Sequence, residues 1–322
     1  MSEPKYNEAI KVGLKFTWQH KSVWFYGFFI SILGQFGIFE FLSKITLVAR
    51  GETPSSLFWY FYSSLSGIKF SNIYLSVSQW SWLFWVLAFL FAFALVFVYI
   101  AIVSQGALIK NAATFFDTGK YENISLSWHA GAKKFWPVFF LNILKKGVLS
   151  IVIFSLIFVL AEVLFLNSWW SDFLFIFSFL LVSLIGILVS FLMIYAIAFV
   201  ITEDKNFKEA IKLSWHIFKK HWLVSFEVGF IMILANLLLF LLAILGLYIF
   251  LFPSILLMFG VLFSANVFFS VLCIIFGVLT FAIYLILISS LFNVFNVSVW
   301  TFLFIKMRRE GIVSRILSWF KK

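Results

Sequence analysis

The stretch Asn206-Phe-Lys-Glu-Ala-Ile-Lys-Leu-Ser-Trp-His-Ile-Phe-Lys-Lys-His-Trp222 decides how this chain is read. Its apolar positions Phe207, Ala210, Ile211, Ile217, Phe218 and Trp222, with the small Ser214, recur at helical spacing. Lys205, Lys208, Lys212, His216, Lys219 and Lys220 fall between them, so the spacing predicts a helix greasy on one face and basic on the other. Asn206 with Glu209 three residues on reads as an N-cap and capping box. A long apolar run follows at once. The predicted picture is a helix on a membrane surface leading into a span.

The same design occurs twice more. Leu126-Ser-Trp-His129, Lys133-Lys134 and Trp136 match Leu213-Ser-Trp-His216, Lys219-Lys220 and Trp222. A fainter copy opens the chain, with Glu8-Ala-Ile-Lys11 against Glu209-Ala-Ile-Lys212, and Lys21 and Trp24 before the first apolar run.

Composition makes this a membrane protein. Of 322 residues, 64% are hydrophobic and only 11% charged, more apolar surface than a soluble core hides. The first apolar run, from Val23 to Leu42, lacks a small-residue cleavage site and reads as a retained span. Further spans are predicted at Trp80 to Val103, within Phe135 to Leu166, at Phe173 to Val200 and at Trp222 to Phe252. The stretch from Pro253 to Ile305 is long enough to cross once or twice. Val98-Tyr-Ile-Ala-Ile-Val103, Ile194-Tyr-Ala-Ile-Ala-Phe199 and Ile283-Tyr-Leu-Ile-Leu-Ile288 look like one helix end used three times. That match ends the sixth span near Ser289 and lays Leu291 to Ile305 along the inner interface.

The net charge of +11 follows the same map. Six spans with both termini cytoplasmic place 21 of the 24 Lys and Arg inside, which satisfies the positive-inside rule. The predicted fold is therefore all-α: one polytopic membrane domain over 1–322, with six transmembrane helices in three similarly oriented hairpins. Cytoplasmic amphipathic interfacial helices precede the hairpins. The repeat units run about 1–103, 104–200 and 201–305, with a basic tail over 306–322.

Chemistry is sparse. No P-loop, Gly-x-Ser-x-Gly elbow or His-Glu-x-x-His occurs, and Asp117, Asp172 and Asp204 are the only aspartates, none deep in a span. His20, His129, His216 and His221 all belong to the lead-in helices without convergent partners, so neither metal nor cofactor is predicted. Glu40, Glu162 and Glu227 are simplest at headgroup depth or paired locally. The functional alternative is a polar cavity of Glu227 with Gln35, Asn142, Asn236 and Asn266; those amides equally suit interhelical hydrogen bonds. Lys133, Lys134, Lys212, Lys219 and Lys220 are the candidate contacts for anionic lipid of the cytoplasmic leaflet. Cys273, in an apolar run, reads as a packing residue.

The segments Ser104-Gln-Gly-Ala-Leu108, Gly119, Ile201-Thr-Glu-Asp204, Glu209-Ala and Leu213-Ser-Trp215 carry a resemblance. They resemble six-helix bacterial membrane families related to the membrane domain of glycerophosphodiester phosphodiesterases. The catalytic barrel of such enzymes and its His-Arg-Gly motif have no counterpart here, so the resemblance implies a membrane module without the enzyme. The sequence predicts a non-enzymatic inner-membrane protein that organises lipid or a protein partner and takes no nucleic acid. The alternative is a small transporter for an amphipathic or lipid-like substrate with a polar path between hairpins.

Overall fold

The computed structural model describes residues 6–31, 77–166, 169–263 and 267–309, and among them the chain is almost entirely helical, with no strand. Helix α1 covers Tyr6–Gln19. A 3-10 turn, Lys21–Val23, joins it to a helical stretch over 24–31. Then come α2 (Val77–Thr118), α3 (Ile124–Lys133), α4 (Phe135–Leu166), α5 (Trp169–Thr202) and α6 (Phe207–Gly246). A π-turn at Leu247–Leu251 leads to α7 (Phe252–Phe263), and α8 is Val267–Arg309. Five of these helices, α2, α4, α5, α6 and α8, are long and apolar enough to cross a membrane, which marks a membrane-embedded protein. Most of the predicted first span, the predicted outer loop, the tail from 310, and Gln35, Glu40 and Asn266 lie outside the described residues.

The long helices exceed one bilayer. At 1.5 Å per residue the 42 residues of α2 reach about 63 Å, against a hydrocarbon core of about 30 Å. Each divides accordingly. In α2 the large side chains from Trp82 to Tyr99 are mostly exposed, and Ala101 to Ala113 are mostly buried. In α5 the exposed part runs from Trp170 to Ile187 and the buried part from Phe191 to Ile201. In α8 the two parts are Phe268 to Leu287 and Ser290 to Met307. The exposed lengths come to about 27 to 30 Å each. Helix α6 has the reverse order: its buried positions run from Ala210 to Met232, and exposed apolar side chains follow from Phe230.

The buried parts form one packed head. Phe191 of α5 stacks on Phe218 of α6 at 6.0 Å and lies 5.4 Å from Trp300 of α8; Phe199 meets Phe304 edge-on at 4.8 Å. A second cluster joins Phe16, Val23 and Tyr26 to Ala107, Leu108 and Val294. Helices α4 and α6 run out from this head and α2, α5 and α8 run into it, while residues 24–31 pack within it through Tyr26 and Ile30. Small residues permit the crossings. A Cβ on Gly131 of α3 would lie 2.4 Å from the Val103 carbonyl oxygen of α2, and one on Gly27 2.3 Å from that of Ser290. Both obstacles are backbone, so neither glycine tolerates a side chain without moving a helix.

Several expectations change here. Leu291 to Ile305 is no separate interfacial helix: α8 runs unbroken through Ser289, and Val294, Val299, Trp300, Leu303 and Phe304 fill the head. The stretch from 253 contains a single helix of spanning length, α8, since the 12 residues of α7 reach only about 18 Å. The apolar face of the Asn206–Trp222 helix packs against protein rather than lipid, with Ala210, Ser214, Ile217 and Phe218 buried. At its end the assignments swap: His221 is buried and Trp222 is 52% exposed. The cause is a backbone break at His221 (φ −126°, ψ 28°), which turns the helix before the span begins. Glu209 gives its carboxylate to Lys205 Nζ at 2.8 Å, and Asn206 accepts the Ala210 N–H through its backbone carbonyl. Helix α2 ends at Thr118, followed by Gly119 at φ +68°.

Candidate lipid-facing site

The break at His221 has counterparts at His20 (φ −114°, ψ 75°) and Lys134 (φ −104°, ψ 18°). Each separates an amphipathic helix from an apolar one. Seven residues before each break stands a small buried residue, Gly13, Ser127 or Ser214, where the helix lies against the head.

The opposite face of α6 is what the protein presents outward. Lys208, Lys212, Trp215, Lys219 and Trp222 are exposed and recur at alternating steps of four and three, which lines them along one side of a helix. Around the break before α4, Leu126, His129, Lys133 and Trp136 are exposed in the same manner. On α1, Lys11, Leu14 and Trp18 are among the exposed residues, and Lys21 is exposed in the turn that follows. Trp136 stacks on Phe140 at 6.0 Å, and Trp222 meets Phe226 edge-on at 6.1 Å.

Of the five lysines predicted to meet lipid, Lys133, Lys212, Lys219 and Lys220 are exposed. Lys134 is half-buried and holds Asp204 at 2.8 Å, which keeps that carboxyl below its ordinary range. The acids at this end of the molecule are similarly claimed. Arg309 grips Asp117 with two bonds of 2.7 and 2.9 Å, and Arg308 donates to Glu203 at 3.0 Å. These pairs tie the end of α8 to the ends of α2 and α5. Lys133, Lys212, Lys219 and Lys220 form none of these ion pairs.

Of the predicted cavity residues, Asn142, Asn236 and Glu227 lie among the described ones. Asn142 of α4 donates to Gln105 Oε1 of α2 at 2.8 Å and to its own helix at Val138 O. Asn236 is exposed and donates to Met232 O at 2.9 Å. Glu227 is half-buried on α6, six residues past the break. Among the described residues no three His, Cys, Asp or Glu side chains gather as metal ligands.

The polar groups that do converge are different ones. Asn111, fully buried in α2, donates to Glu122 O at 3.2 Å and to Ser127 Oγ at 3.3 Å, and its Oδ1 accepts the Glu122 N–H. Thr114 donates to the Glu122 carboxylate, and Tyr26 to Ile124 O. This cluster fixes the loop before α3. His20 stacks on Tyr121 at 4.8 Å and meets Phe115 edge-on, with Nε2 buried and unbonded, and burial lowers its pKa. Deeper, Tyr195 of α5 hydrogen-bonds Ser225 of α6 at 2.7 Å, and Ser225 donates to His221 O at the break. The chain matches no protein-family model, and neither a curated protein nor a solved structure aligns with it.

Proposed function

We propose that this chain is a non-enzymatic bacterial inner-membrane module of six spans in three similarly oriented hairpins. Both termini and the packed head are cytoplasmic, and the head's basic faces hold anionic lipid or a protein partner at the inner leaflet. The observation that carries this reading is the division of the long helices. Helices α4 and α6 run out from one head, and α2, α5 and α8 run into it, each of these three with about one hydrocarbon thickness of exposed apolar surface. Lysines and tryptophans gather where the head ends, as they do at membrane interfaces. The three breaks support the repeat. A constant offset of 87 residues aligns Ser127 with Ser214 and Lys134 with His221 without a gap. An offset of 201 aligns Gly13 with Ser214 and His20 with His221. The resemblance carried by Ser104 to Leu108 and Leu213-Ser-Trp215 points to the same class of membrane module.

Single cysteines in a Cys273→Ser background test the topology. A membrane-impermeant maleimide added outside intact cells is expected to label positions 52 and 172, and not 120 or 205. Labelling at 205 overturns the orientation.

The Asn142 to Gln105 bridge between α2 and α4 favours a second reading, a transporter for an amphipathic or lipid-like substrate with a polar path. Glu227→Gln separates the two. The docking reading expects folding and cellular phenotype nearly unchanged, whereas the transport reading expects a folded protein without activity.

A further inference from the structure

We propose that the breaks at Lys134 and His221 each carry a seat for anionic phospholipid, one formed by Lys133 and Trp136, the other, shifted by one residue relative to its break, by Lys219 and Trp222. The inference rests on the membrane reading above and names its lipid partner.

Each pair stands three residues apart across a break, and all four side chains are exposed. Neither Lys133 nor Lys219 forms an ion pair with a carboxylate among the described residues; the charge of Asp204 reaches Lys133, but its hydrogen bond goes to Lys134. Each seat therefore presents an ammonium without a bonded carboxylate, which suits an anion. The second half of the ligand follows from what lies beyond each tryptophan. Helix α4 exposes Phe140, Ile143, Ile151 and Phe154, and α6 exposes Phe230, Ile233, Leu237 and Leu241. These runs keep helical spacing with Trp136 and Trp222, so each helix offers an indole and then an apolar track on one face, with the cation three residues before the indole, across the break. A phosphate with attached acyl chains fits that order; a free phosphate would leave the track unused. Tryptophan suits the middle position, its ring apolar and its N–H directed to the headgroups.

The first break is built differently. Lys21 is exposed, but Trp24 is half-buried and its indole N–H donates to Thr17 O at 2.8 Å. That ring serves the fold, so the count is two seats and not three.

The test uses the purified full-length protein in a mild detergent, with phosphatidylglycerol, phosphatidylcholine or water-soluble glycerol phosphate added. Bound molecules are counted by mass spectrometry of the intact protein. Wild type is expected to retain phosphatidylglycerol over phosphatidylcholine. Lys133→Gln with Lys219→Gln is expected to weaken that retention about fivefold per seat, with the thermal midpoint unchanged because both side chains are exposed. Trp136→Leu with Trp222→Leu is expected to weaken both lipids. Equal phosphatidylglycerol retention by wild type and the lysine variant overturns the seats. Displacement by glycerol phosphate overturns the phospholipid assignment. External labelling at position 205 would overturn the cytoplasmic orientation on which the seats rest, so the two failures remain distinguishable.

Discussion

His20 shows how one residue couples the fold to pH. Its ring is enclosed by Phe16, Phe115 and Tyr121, and Nε2 has no hydrogen-bond partner. Burial lowers its pKa, so the head favours the neutral ring. The titratable and charged neighbours are Tyr121, Glu122 beside it, held by Thr114, and Lys21 next in the chain. For a folded pKa below the unfolded value of about 6.5, stability is full above that value. It declines as pH falls through it towards the lower folded value. Thermal melts of the detergent-solubilised protein are expected to lose several degrees between pH 7.5 and pH 5. In His20→Phe that part of the slope should vanish; an equal slope in both proteins would remove His20 from the account. The sequence displayed His20 only as one of four scattered histidines. Nor did it flag Asn111, since a lone amide inside an apolar run gives no hint of a loop that folds back eleven residues later. Tertiary closure creates both environments.

At the scale of elements, the periodicity of Asn206 to Trp222 was read correctly as amphipathic but given the wrong partner. An apolar stripe states that something covers it, and composition suggested lipid. Protein covers it instead, because α5 continues about 14 residues and α8 about 23 beyond one bilayer thickness and both need a face to pack against. The break at His221 was invisible for a related reason: no proline or glycine marks it, and the helix bends where Ser225 donates to the His221 carbonyl and is itself held by Tyr195. The ends of the long helices are then clasped electrostatically. Arg309 and Asp117 form a two-bond pair, but the arginine is 61% exposed and the aspartate 34%. Exposure limits such a pair to about 0.5–1 kcal/mol, screened by salt. Arg309→Ala and Asp117→Ala should each cost about that much in denaturant unfolding, and the double variant little more than either. A double variant that costs the full sum would show that the two side chains act independently.

For the whole molecule, the membrane class and the positions of the long apolar runs were legible because hydrophobic length is a one-dimensional property. The head was not, because lipid-facing and core-facing helix look alike in a sequence this apolar. The two differ in mechanism, however. Between helices in lipid there is no hydrophobic driving force, since acyl chains are as apolar as leucine, whereas a head in water gains from every side chain it buries. Helix α8 passes through both regimes and allows a comparison within one element. Trp300 is 6% exposed, against Phe191 and Tyr195 in the head, and Ile283 is 57% exposed in the apolar length. Trp300→Ala removes a large core ring and is expected to cost about 3–5 kcal/mol. Ile283→Ala exchanges one lipid-facing side chain for a smaller one and should stay within about 0.5 kcal/mol, as at other unpacked surfaces. Unfolding of both variants in the same lipid nanodiscs measures the contrast. Comparable losses at the two sites would mean that the apolar length is also packed against protein, by a second copy or by chain outside the described residues. The boundary between head and membrane near Ser290 would then have to be redrawn.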